Sequence, residues 1–207
     1  MNEAGLGSPQ DRSSSLNASG RLARAISWIG HPLVFVTWSV GVVVALRLAN
    51  RVGIAVLLAL LLSVIFPTAI LLFRGVRSGH WSDADVSVRT ERNRFYPMAI
   101  PISALGVGML WFLHAPAFMA RGAFVTLGLL VVAAIANFRI KLSLHALFAF
   151  YCTVILFRVQ PAFGAAALAL ALLVFWSRLY LQRHDLPEML AGTLLGIAGG
   201  VATAWWP

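Results

Sequence analysis

The chain has 207 residues, 60% of them hydrophobic and 11% charged, with 16 Lys and Arg against 7 Asp and Glu for a formal charge of +9. A mean hydropathy of +0.85 excludes a soluble globular core and describes a polytopic membrane protein. The basic residues sit in short connections between apolar runs, so anionic headgroups and phosphate suit the excess charge better than nucleic acid does.

Residues 1–20 are small and polar and are expected to form a disordered tail ahead of a transmembrane unit spanning 21–207. The first apolar segment starts too late for a cleavable signal peptide, and Arg21 and Arg24 precede it. Apolar runs follow at about 27–46, 53–74, 95–114, 121–138, 142–157, 161–181 and 187–206, the fifth being the shortest. The expected fold is an all-α transmembrane bundle of six or seven spans, with a polar pocket at one membrane interface. Pro67, Pro97 and Pro101 fall within or at the edge of spans, where neighbouring helices can satisfy the freed backbone groups. Trp205 and Trp206 fit an interfacial aromatic belt. Cys152, the one cysteine, lies inside an apolar run and is expected to be a buried structural thiol.

Three connections are longer or more polar than the rest: 74–94, 137–145 and 177–192. They follow the second, fourth and sixth apolar runs, so parity places them on one side of the membrane. Asp83, Asp85, Glu91, Asp185 and Glu188 all lie in the first and third of them, and the short loops opposite carry no acid. Ionisable groups beside a bilayer are costly, which marks this side as the functional one.

The third connection is the most informative. Pro187 suits the first turn of a helix and puts His184 in the turn before it. Glu188, four residues on, can hydrogen-bond one imidazole nitrogen and fix its tautomer. Arg178, on the preceding apolar segment, can aim a planar fork of donors at the same space, a geometry suited to phosphate.

Ser177-Arg178-x5-His184-x3-Glu188-x2-Ala191-Gly192 resembles the third signature motif of the type 2 phosphatidic acid phosphatase (PAP2) superfamily, with Glu in place of the usual Asp. Lys141-Leu142-Ser143-Leu144-His145 is similar to the second motif, Pro-Ser-Gly-His, with Leu142 and Leu144 at the Pro and Gly positions. Asp85-x3-Arg89-x2-Arg92-x-Arg94, with Pro97 nearby, resembles the first motif of divergent bacterial and archaeal members. Arg89 and Arg92, three apart, share a face if this segment is helical.

The resemblance implies a two-histidine mechanism. His184, oriented by Glu188, attacks phosphorus to form a phosphohistidine. His145 protonates the leaving oxygen and then activates water. Arg89, Arg92, Lys141, Ser143 and Arg178 are the candidate phosphate ligands, with no metal and no other cofactor expected. Arg94 stays open as a further member. Asp83 and Asp85 are expected to pair with the arginine cluster or cap the adjoining helix rather than bind metal, and Asp85 too stays open as a site member. His31, His80 and His114 read as interfacial or packing residues, Arg74, Arg77 and Arg183 as topology determinants, and Asp185 as a solvated neighbour of the site.

These readings describe a prokaryotic plasma-membrane hydrolase of lipid metabolism, acting on a lipid phosphate monoester or a prenyl diphosphate. Two alternatives stand beside it: a lipid phosphotransferase using the same site, and a non-catalytic phospholipid-binding or transport protein. With the candidate ligands set aside, Arg12, Arg21, Arg24, Arg74, Arg77, Arg139 and Arg183 on the motif side outnumber Arg47, Arg51, Arg121 and Arg158 opposite. The positive-inside rule then favours a cytoplasmic site.

Overall fold

A computed structural model describes residues 18–205, and these residues are helical throughout apart from their connections, with no strand among them. The helices are α1 (Ala18–Ile29), α2 (Pro32–Arg47), α3 (Arg51–Arg77), α4 (Arg89–Phe112), α5 (Ala117–Ala136), α6 (Leu144–Val159), α7 (Pro161–Tyr180) and α8 (Leu186–Trp205). Five of them, α3, α4, α5, α7 and α8, are long and apolar enough to cross a membrane, and α1 with α2 make a sixth span if the bent pair is counted as one. α6 is shorter, and its stretch from His145 to Thr153 is buried without interruption, so it is the axis on which the others pack. A short helix enclosed on all sides does not need to reach both lipid interfaces.

Two boundaries differ from the apolar runs. The first run divides into α1 and α2, which meet at an angle of 53°. Pro32 cannot continue a helix from residue 28, and His31 instead caps α2, its Nδ1 accepting the Leu33 N–H at 3.3 Å. Gly30 lets the chain turn directly against Val174 of α7, where a Cβ would collide. α1 begins at Ala18, inside the stretch assigned to the tail; the rest of that stretch, 1–17, and Trp206 lie outside the described residues. The second difference is α4, which starts at Arg89 rather than residue 95 and so carries the arginine cluster on its first turns.

Pro67 leaves its own mark on α3. With no N–H at 67 and a ring that crowds the preceding turn, Leu61–Ile65 widens into one π-helical turn, and the Ser63 hydroxyl bonds the Ala59 carbonyl. Pro97 and Pro101 are absorbed within α4 without a break in helical assignment.

The packing that positions the site is α8 against α6. Gly192, Gly196 and Gly200 form one small-residue seam, and a Cβ on them would meet the Ser143 carbonyl, the Leu147 carbonyl and the Val154 side chain respectively. At the far end, Arg47 donates to the Val159 carbonyl at 3.1 Å and fastens α2 to α6. The chain alternates direction from α2 to α8, so the ends carrying Asp85, Arg92, Ser143, His145, Arg178, His184 and Glu188 gather on one side, as parity predicted.

Candidate functional site

Arg178 is at the centre. It sits in the last turn of α7, where a cation opposes the negative end of the helix dipole, and it is 1% exposed. Its Nη1 donates to Ser27 Oγ of α1 at 2.8 Å and to Asp85 Oδ2 at 2.5 Å. Its Nε and Nη2 are buried and have no hydrogen-bond partner among the described residues. One edge of the fork is therefore anchored, and the other keeps two parallel donors unspent, a bidentate edge for an anion.

The connection after α7 turns through Gln182, at φ +53°, and delivers His184. Asp185, expected to be merely solvated, begins α8: its Oδ1 accepts the Glu188 N–H at 2.9 Å. That first turn of α8 presents Glu188 Oε2 to His184 Nδ1 at 2.7 Å. Burial pushes the His184 imidazole down to about 2, helped by the Arg92 and Arg178 guanidinium groups and the Lys141 ammonium. A neutral ring facing a carboxylate carries its proton on Nδ1. The lone pair is then on Nε2, which is buried and has no partner among the described residues.

Ser143 caps α6, its Oγ accepting the Ala146 N–H at 3.4 Å, and its own N–H bonds the Glu188 carbonyl at 3.1 Å. His145, on the first turn of α6, is 3% exposed, and its Nε2 also lacks a hydrogen-bond partner among the described residues. Lys141 donates to the Arg183 carbonyl at 3.0 Å and lies 3.6 Å from Glu188 Oε2, so it braces the His184 turn and balances the carboxylate.

The α4 arginines separate. Arg92 is 1% exposed; its Nε bonds the Val86 carbonyl at 3.0 Å and its Nη1 the Leu142 carbonyl at 2.7 Å, which joins the 78–88 connection to the Ser143 turn. Its charge reaches His184. Arg89 is exposed and donates to the Asn137 carbonyl at 2.7 Å, while Asn137 Nδ2 bonds Arg89 and Asn93 in return. The helix places the two side chains on neighbouring rows, and only Arg92 points inward. Arg89 thus clips α4 to the end of α5 and is not brought to the Arg178 group. Arg94 is exposed as well.

Asp83 and Asp85 do pair with arginines, but with those of α7 and its following turn. Asp83 bonds Arg183 at 2.8 Å and accepts three bonds from Asp85 and Ser87, so it shapes its own loop. Asp85 reaches Arg178. His31, read from the sequence as an interfacial or packing residue, also lies beside this group. Its Nε2 lies 3.9 Å from Asp85 Oδ1, and its ring meets that of His145 edge-on at 5.5 Å. A histidine followed by proline after a glycine, interrupting an apolar run, was the available signal.

Arg178 and Asp85 line a cavity of about 780 Å³ bounded by α1 and the end of α7, where Arg24, Ser27, Trp28 and Arg183 also face it. A separate, mostly apolar cavity of about 360 Å³ lies in the other half of the bundle, among Val43, Leu57, Gly106, Cys152 and Ile155. It contains none of the paired acids or histidines. Among the described residues, no group of three or more His, Cys, Asp or Glu is arranged to hold a metal ion.

Residues 136–207 match the family model described as the PAP2 superfamily. The matched stretch contains Ser143, His145, Arg178, His184 and Glu188 and stops short of α4. No curated protein and no solved structure matches the chain. The match and the apolar helices together support a membrane phosphatase.

Proposed function

We propose that this protein is an integral-membrane lipid phosphatase that hydrolyses a phosphate monoester or diphosphate through a phosphohistidine intermediate. One observation carries the reading: four buried nitrogens without partners among the described residues, Nε and Nη2 of Arg178 and Nε2 of His145 and of His184, belong to side chains gathered at one end of the bundle. Buried polar atoms left unpaired are expensive, and in this reading a phosphoryl group bound among these side chains supplies the missing partners.

In this reading the free edge of Arg178 takes two equatorial phosphate oxygens, and Arg92 and Lys141 add positive potential from behind. His184 Nε2 attacks phosphorus as the bond to the leaving oxygen breaks, and His145 gives that oxygen its proton. Glu188 accepts the hydrogen bond from Nδ1–H throughout and stabilises the charge that develops on the ring. Water then attacks the phosphohistidine. The P–N bond breaks, His145 takes a proton from the water, and inorganic phosphate leaves.

A lipid is the proposed substrate because the cavity beside Arg178 is walled by α1, whose Leu22, Trp28 and Ile29 are exposed at the end of the spans. Phosphate release from a panel of lipid phosphates and prenyl diphosphates, in detergent micelles, tests the reading. Turnover of at least one of them is expected. Lipid binding without release of phosphate would point instead to a binding protein.

A further inference from the structure

Asp85 heads the stretch that resembles the first motif and lies outside residues 136–207, which match the family model, yet it touches more of the site than any other acid. Its Oδ2 holds Arg178 Nη1 at 2.5 Å, and its Oδ1 lies 3.6 Å from His145 Nε2 and 3.9 Å from His31 Nε2. His31 accepts the Leu33 N–H at Nδ1, so when neutral its ring proton is on Nε2, the atom facing Asp85. The connection that carries Asp85 is fastened on three sides. Asp83 accepts the Asp85 N–H, Arg183 binds Asp83, and Arg92 binds the Val86 carbonyl. Val86 is buried at φ +47°, a backbone conformation that β-branched residues rarely adopt.

The charges around His145 show what a carboxylate does there. Arg178 from α7, Arg92 from α4, His31 from the start of α2 and His184 from the turn before α8 all face it. Burial is the largest effect opposing a charge on this ring, and these cations and potential cations add to it. Asp85 is the acid that the described ion pairs place against His145. At 3.6 Å it is beyond hydrogen-bond distance, so an N–H on Nε2 stays available to a leaving oxygen.

We propose that Asp85 is a positioning residue of this site: it clamps Arg178 with one donor edge open, and it supplies the negative charge that favours a proton on His145 against the groups around it. The two histidines then each have their own acid, Glu188 for the ring that must be neutral and Asp85 for the ring that must be charged. His31 is the outer member, sharing Asp85 Oδ1 with His145. The inference rests on the phosphatase reading above and adds a residue to it.

The test compares Asp85→Asn with the full-length wild type on two monoesters, an alkyl phosphate and p-nitrophenyl phosphate. The aryl ester departs without a proton donor, while the alkyl ester needs one. The expected result is a loss of about 100-fold in kcat on the alkyl ester, the scale of a general acid. On the aryl ester the loss is expected to be much smaller. The limb of the alkyl-ester pH profile that reports the protonated acid moves to lower pH, and Asp85→Glu, which retains the charge, recovers most of the alkyl activity. Equal losses on both esters with an unmoved limb, or no loss on either, overturn the proposal. A melting temperature for each variant separates misfolding from chemistry, and if Asp85→Asn does not fold, the leaving-group comparison is made on Asp85→Ser against wild type, where equal losses on both esters with an unmoved limb, or no loss on either, overturn the proposal too. A wild type inert toward every phosphate ester defeats the phosphatase reading itself, a different outcome from a wild type that turns over and an Asp85 variant that shows no selectivity.

Discussion

The backbone N–H of Ser143 donates to the carbonyl of Glu188 at 3.1 Å, so the cap of α6 is bonded directly to the first turn of α8. This bond sets the spacing between the two histidine-bearing elements, and the glycine seam of α8 makes it attainable. Gly196→Leu should therefore disturb chemistry as well as packing. Its side chain would meet the Leu147 carbonyl, which is backbone and cannot rotate away. The expected cost is about 1–3 kcal/mol or more, read as a lowered melting temperature in detergent. A substitution at exposed Leu194 on the same helix should leave the melting temperature close to wild type.

Arg178→Lys should cost about 10²-fold in kcat/KM, the scale of removing a preorganised donor. An ammonium keeps the charge beside Asp85 but loses the parallel Nε and Nη2 edge. Retention of full activity would mean that only the charge matters. Arg89→Ala should reduce activity far less than Arg178→Lys, since Arg89 is exposed and its described bond is to the Asn137 carbonyl.

The depressed His184 pKa also sets a pH dependence of stability. In the unfolded chain this histidine binds a proton near its ordinary value of 6.5, whereas in the folded protein it resists protonation down to about 2. Between those values the unfolded state holds more protons. The contribution of His184 is fully present above pH 6.5 and is lost as pH falls through the window below it. The melting temperature should decline from pH 7 to pH 5, and His184→Gln should flatten part of that decline. An identical slope in the variant would refute the assignment.

Much of this arrangement was legible in the sequence. The Arg178, His184 and Glu188 spacing, Pro187 in the first turn and the common side of the three connections all follow from helical geometry and parity, which are local properties. Arg89 and Arg92 mark the limit. Three residues apart on a helix, they point along neighbouring rows, and which row faces inward depends on how α4 packs against α5 and α6. The position of His31 was not legible because it comes from tertiary placement: only the folded chain brings the start of α2 to Asp85 and His145. The same holds for Asp85, whose partner on α7 is 93 residues away.

Activity should persist in excess chelator and be inhibited by vanadate, which mimics pentacoordinate phosphorus. In the proposed mechanism arginine and lysine charge takes the place of a metal. Complete loss in chelator, restored by magnesium, would refute this.

The arginine balance across the two ends favours a cytoplasmic site. In a Cys152→Ala background, Thr90→Cys puts a single thiol at an exposed position on the site side. A membrane-impermeant maleimide should label it only after permeabilisation, and labelling in intact cells would place the site outside.

The central claim is that His184 takes the phosphoryl group, and trapping that intermediate tests it most directly. Wild-type protein mixed with a turned-over lipid phosphate, quenched rapidly at alkaline pH and digested, should yield a phosphorylated peptide with the phosphate on His184. That peptide should be absent from His184→Ala, whose turnover should fall below measurable levels. A phosphoryl group on any other residue, or His184→Ala activity within about tenfold of wild type, where losing the nucleophile should cost far more, would contradict the account.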